Sequence, residues 1–223
     1  MELLTQNAKM KKSSQNGITV VNWTIPAFQS KTGLKTCPNA GLCAIGCYAR
    51  SGTYRFSKSI EAHEAKLALT QTDAFIPEMI KEIDRWLSKK STKRLMVRIH
   101  DAGDFYNVDY LNKWLTIIQV YSTNPRVGFY AYTKQVEMFK FNTKSLFNNF
   151  TLIYSFGGRQ DSLIDTERDR HAKVFESIQD LKAAGYADGT LDDMVAAIGE
   201  SKKIGLVYHG VKNFSNTAWS KVS

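Results

Sequence analysis

Leu95-Met96-Val97-Arg98-Ile99, followed at once by His100-Asp101-Ala102-Gly103-Asp104-Phe105-Tyr106, decides the fold class of this chain. The first five residues are short, branched and apolar, which suits a strand buried on both faces. The polar run that ends them is too hydrophilic for a core and belongs at a strand's carboxyl end. Beyond it, Tyr110, Leu111, Trp114, Leu115 and Ile118 recur at helical spacing. The same unit recurs on either side. Upstream, Ile18–Ile25 reads as a strand, Ser57 as the cap of a helix to about Leu69, and Phe75–Leu87 as a second helix. Downstream, Val127–Tyr132 reads as a strand, with a helical stretch to about Phe147, and Phe150–Phe156 as another strand. Val174, Phe175, Ile178 and Leu181 read as a helix, Leu191–Ile198 as a shorter one, and Ile204–Tyr208 as the last strand. Such alternation predicts an α/β fold: a partial (β/α) barrel of about five to six mostly parallel strands, its site at their carboxyl ends.

The 223 residues, 43% hydrophobic and 23% charged, suit a single domain over 1–223. No apolar run is long enough to span a membrane, and the first residues lack the pattern of a secretory signal, so a cytoplasmic protein is expected. The net charge of +9 is uneven. Residues 1–60 carry eight Lys or Arg against one acid, Glu2, while the remainder is nearly balanced. Lys9, Lys11 and Lys12 mark a basic N-terminal arm over about residues 1–16. Such an arm is either solvated or a surface for an anionic partner such as nucleic acid or a nucleotide.

All three cysteines fall in one loop, Cys37-Pro38-Asn39-Ala40-Gly41-Leu42-Cys43-Ala44-Ile45-Gly46-Cys47. An odd number so closely grouped argues against a disulfide framework. Clustered thiolates in a loop broken by Pro and Gly suit a soft metal or an iron–sulfur cluster. Zinc would require a fourth ligand, with His63 the nearest downstream imidazole, and the residues alone leave both open. Five strand ends bring polar groups to one rim: the cysteine loop, His100–Asp104, Tyr132-Thr133-Lys134, Tyr154-Ser155 with Gly157-Gly158, and Tyr208-His209-Gly210. Asp165–His171, charged on every side, reads as a solvated first helical turn.

The cysteine loop after the first strand, Tyr48 beside the last cysteine, Arg98–Tyr106, Phe129–Lys134 and Gly205–Gly210 together resemble the radical S-adenosylmethionine (SAM) superfamily. More narrowly, they resemble an uncharacterised phage family described as gene-product-88-like. Both gaps between cysteines are longer than is usual in the superfamily, and Ala102-Gly103-Asp104 stands where Gly-Gly-Glu is usual. The resemblance implies that Cys37, Cys43 and Cys47 hold a [4Fe–4S] cluster whose open iron binds SAM, giving a 5′-deoxyadenosyl radical that acts on a nucleotide, nucleic acid or peptide. It implies SAM contacts for Tyr48, Gly103, Asp104, Lys134 and Ser155, and a flavodoxin or ferredoxin as reductant, while their predicted places on the rim make His100, Tyr132 and His209 candidates for contacting the substrate or donating a proton or hydrogen. The alternative is a protein without catalysis that holds zinc or a cluster and binds nucleic acid or a host protein through its basic first quarter.

Overall fold

Helices and strands alternate along nearly the whole chain in the computed structural model, which describes residues 1–50, 52–143 and 146–208. Helix α1 (Ala8–Ser13) precedes β1 (Ile18–Asn22). A long loop leads to α2 (Ser57–Thr70) and α3 (Phe75–Leu87), and then to β2 (Arg94–Ile99), α4 (Val108–Val120) and β3 (Val127–Thr133). There follow α5 (Val136–Asn142), β4 (Phe150–Ser155), β5 (His171–Phe175), α6 (Ile178–Ala183), β6 (Ala187–Asp188), α7 (Met194–Ala197) and β7 (Lys203–Val207). The seven strands form one sheet in the order β1-β2-β3-β4-β5-β7-β6, every neighbouring pair parallel, curled into a half-barrel.

The alternation of side chains along each strand divides the core in two. Leu95, Val97 and Ile99 of β2 face outward onto Phe75, Met79 and Ile83 of α3 and Trp114, Ile117 and Ile118 of α4. Met96 of the same strand faces the hollow, with Val20, Tyr130, Ile153 and Ile204. This is why β2 is apolar almost throughout: helices cover its back, and the hollow is filled from within. The filling comes from Met10 of α1 and from Ala196 and Ala197 of α7, all at or near full burial.

The first sixteen residues therefore do not form a solvated arm. Leu3 and Leu4 join the outer core, Met10 and Ser13 lie inside, and Thr5 bridges to Asn22. The charge of this segment concealed its apolar points, which alternate too briefly to read as a helix. The strand count is seven rather than five or six. One of the added strands is β5, where Val174 and Phe175 sit at helical spacing from Ile178 and Leu181 by coincidence. The break falls at Ser177, which caps α6 by accepting from the Asp180 amide. The Asp165–His171 segment is a turn closed on Asp165, whose side chain accepts from the Glu167 and Arg168 amides, and His171 opens β5. Phe56, not Ser57, occupies the cap position of α2, without a side-chain hydrogen bond to it. No described helix is long and apolar enough to cross a membrane.

Candidate functional site at the carboxyl mouth of the half-barrel

The loop after β1 folds back over the carboxyl ends of the strands. Its anchors are mostly backbone. The Cys43 amide donates to the Gly157 carbonyl (3.1 Å), the Arg159 amide to Asn39 (2.9 Å), and Ala40 pairs with Gly158. A side chain at Gly41 would come within 2.9 Å of the Gly158 carbonyl carbon, so the loop can lie this close to β4 only through a glycine. Beyond it the chain runs through short 3₁₀ turns, Leu42–Ala44 and Tyr48–Arg50.

Cys37, Cys43 and Cys47 are all free and half-buried. The Phe28 amide donates to Cys37 Sγ (3.4 Å), with Phe28 itself in the left-handed region at φ 66°. Burial pushes the Cys37 thiol up to about 12, and the charges of Asp104, Cys47 and Cys43 add to the effect. Burial likewise raises Cys43 and Cys47, which Lys134 partly offsets. The three thiols thus lie close enough to oppose one another's ionisation. Among the described residues, however, no three His, Cys, Asp or Glu side chains are grouped so as to hold a metal ion. His63 packs its ring against Tyr54 (centroids 5.9 Å apart).

Lys134 and Ser155, at the ends of β3 and β4, are brought together: Lys134 Nζ donates to Ser155 Oγ (2.9 Å), to the Ser155 carbonyl (3.1 Å) and to the Phe156 carbonyl (3.0 Å). Asp104 is buried beneath them and accepts from Thr133 Oγ1 (2.6 Å) and from the Lys134 and Phe105 amides. Burial raises its pKa, against the lowering by those donors. The carboxylate is thus already engaged in joining β2 to β3. The Tyr48 hydroxyl donates to the Asp101 carbonyl, leaving the ring about half exposed.

Gly103 answers to packing rather than to close approach by a ligand. Its φ is +84°, and a Cβ there would stand 2.2 Å from Ile25 Cγ1. Gly103→Ala is expected to lower stability by about 2–4 kcal/mol, through left-handed strain and overpacking together. A urea unfolding midpoint shared with wild type would show that the backbone relaxes freely at this position.

His100 does not reach the rim. It is 2% exposed, its ring edge-on to Phe105 (4.6 Å) and its Nε2 hydrogen-bonded to the Tyr110 hydroxyl (2.9 Å). The reason is its backbone: at φ 68° the chain turns just past β2 and directs the imidazole into the outer core. Tyr132 faces the hollow, under the Arg98 guanidinium (5.2 Å from the ring centre), its buried hydroxyl without a hydrogen-bond partner among the described residues. His209 lies outside the described residues.

Sequence reasoning missed a charged network directly below the mouth. Asp193, fully buried on the turn before α7, binds Arg98 Nη1 (2.9 Å), Lys9 Nζ (2.6 Å) and the Tyr130 hydroxyl (2.9 Å). Arg98 also lies 3.4 Å from Asp101, which takes hydrogen bonds from Asn7 and Tyr54. Burial opposes the Asp193 charge, but Arg98 and Lys9 outweigh it and hold the carboxyl below its ordinary range. Through Asp101 and Tyr48 the network reaches Cys47. An arginine inside the apolar run Leu95–Ile99 was its one legible signal.

A parallel α/β half-barrel whose carboxyl mouth is roofed by a three-cysteine loop is the class of protein defined by these features. The family model described as Gene product 88 matches residues 1–219, and the chain belongs to that family. The Gene 88 protein of Mycobacterium phage L5 is 29% identical over 145 residues, covering 57% of this chain and 59% of the relative. That of Mycobacterium phage D29 is 32% identical over 106 residues, covering 44% and 42%. The alignments thus span about half the length of these relatives. No solved structure matches the chain.

Proposed function

We propose that the chain is an iron–sulfur protein of radical SAM type, with Cys37, Cys43 and Cys47 as cluster ligands. The observation that carries this reading is that three free thiols share one short loop anchored to Gly157 and Gly158 at the carboxyl ends of a parallel half-barrel. The donor set fits a cluster in kind: three soft thiolates, one for each of three irons. When bound, the cluster supplies the electron that cleaves the sulfonium of SAM.

The chain's own residues then bind and orient. Lys134 and Ser155 stand together at the ends of adjacent strands, with polar atoms suited to a carboxylate or ribose hydroxyl. Tyr48 is about half exposed while its hydroxyl is held by Asp101, which suits an aromatic side chain that packs beside a flat heterocycle. Asp104 holds Thr133 and the Lys134 amide in place beneath them, and so acts on the ligand by positioning. The thiols, protonated in the iron-free protein, give up their protons on taking up metal.

Anaerobic reconstitution with ferrous iron and sulfide tests the reading. Wild type is expected to become brown and to release 5′-deoxyadenosine from SAM under a strong reductant. Cys43→Ala is expected to lose the visible absorption and most of the iron. One zinc per chain with no iron uptake overturns the cluster, and a brown protein that leaves SAM intact overturns the radical chemistry.

A further inference from the structure

We propose that the loop layer roofing the mouth is a docking surface for single-stranded nucleic acid. The sequence contains no acidic residue between Glu2 and Glu61, and within that stretch the structure leaves Lys31, Lys35, Arg55 and Lys58 exposed. Arg50, exposed as well, is steadied by Phe28 beneath its guanidinium (5.4 Å) and by the Ala44 carbonyl (2.9 Å). Arg159 joins the same layer, because its amide is bonded to Asn39.

The acids nearby are largely spoken for. Glu64 accepts from the Lys31 amide, Asp161 from the Gly157 and Gly158 amides, and Asp101 and Asp104 are buried under the loop. Glu61 alone of this group is exposed. The layer therefore presents an excess of positive charge around the cysteines. Lys9 of α1 does not add to it, being drawn inward to Asp193.

Charge alone would suit any polyanion, and the apolar groups decide between them. Ile45 is 78% exposed, Phe56 63% and Tyr48 48%, interleaved among the cations. Exposed aromatic faces among cations are what successive unpaired bases stack on. An acidic peptide gives such rings nothing to stack against. An anionic membrane favours apolar groups along one side of a helix, whereas Ile45 and Tyr48 stand at separate short turns and Phe56 at the cap of α2. A duplex hides its base faces from such rings. The proposal concerns binding, and it holds whether or not the cysteines carry a cluster. If they do, the strand would pass directly over the reacting centre and would be its substrate.

Fluorescence anisotropy of the full chain without iron, with a labelled oligothymidine longer than one site (~16 nucleotides), tests it. Affinity is expected to fall with salt at a log–log slope of about −0.7 per phosphate contacted. The triple variant Lys31→Ala, Arg55→Ala, Lys58→Ala is expected to make that slope shallower by about 2. Phe56→Ala is expected to weaken binding at least ~5-fold with the slope unchanged. Binding that ignores salt, or a Lys11→Ala, Lys12→Ala variant that loses as much as the triple, overturns the assignment of the surface. Polyglutamate or duplex competing as well as the oligonucleotide, with Phe56→Ala inert, overturns the assignment of the ligand. None of these readouts involves iron or SAM, so failure here and failure of the cluster are told apart.

Discussion

Asp193→Ala is expected to destabilise the protein by about 3–5 kcal/mol, a large part of the stability of an ordinary domain. The carboxylate is fully buried and is the common partner of Arg98, Lys9 and the Tyr130 hydroxyl. Removing it leaves the Arg98 guanidinium, 8% exposed as a residue, with the longer contact to Asp101 as its one carboxylate partner among the described residues. It also removes the Lys9 contact that ties α1 to the turn before α7, although the backbone amide at 193 keeps its bond to Ser13 Oγ. The cost comes from stranding charge rather than from losing attraction, and this gives a second measurement. The double variant Asp193→Leu, Arg98→Met removes both buried charges and is expected to regain much of the loss in urea unfolding. If it is no more stable than Asp193→Ala, the network holds the fold by geometry and not by charge balance.

Acidification is expected to weaken the fold steeply between about pH 6.5 and pH 3, with His100 as the main cause. Burial, and after it the Arg98 charge, lowers the imidazole to about 3. An unfolded chain takes up the proton below about 6.5, where the folded chain still refuses it. The unfolded state therefore binds more protons across this window, and stability rises with pH within it. The full contribution is present above the unfolded value and is gone below the folded one, with a slope of up to about 1.4 kcal/mol per pH unit. Asp104, raised by burial, works in the opposite sense near the acid end. His100→Asn isolates the imidazole, because asparagine tolerates the left-handed backbone at this position. Its urea midpoint is expected to depend less on pH than that of wild type. Parallel pH profiles would mean that the histidine accepts its proton without leaving the core.

The strands that the sequence made legible are those buried on both faces. Leu95–Ile99 and Val127–Tyr132 could be read directly because covered parallel strands are continuous apolar runs. The short pieces were not legible for the opposite reason. The two-residue β6 and the hollow-filling α1 carry too few side chains to show a period. β5 gave a false helical period because it and α6 are separated by a single turn. At the site, the cysteine loop was legible from composition, and Lys134 and Ser155 were legible as polar groups at strand ends, but that one donates to the other was not. The inward turn of His100 was not legible, because a left-handed backbone at a non-glycine residue leaves no mark in the sequence.

By itself, the sequence determined that strands and helices alternate, that three thiols share one loop, and that the surrounding quarter of the chain is basic. These are properties of neighbours along the chain, set by periodicity, composition and spacing. Tertiary structure alone decided that Asp193 neutralises Arg98, separated from it by 95 positions, and that α1 fills the hollow instead of trailing in solvent. It also decided that Gly41 seats the cysteine loop on the end of β4. Such pairings arise because the curled sheet must bury its inner face, and whichever distant segments fill that face bring their charges with them.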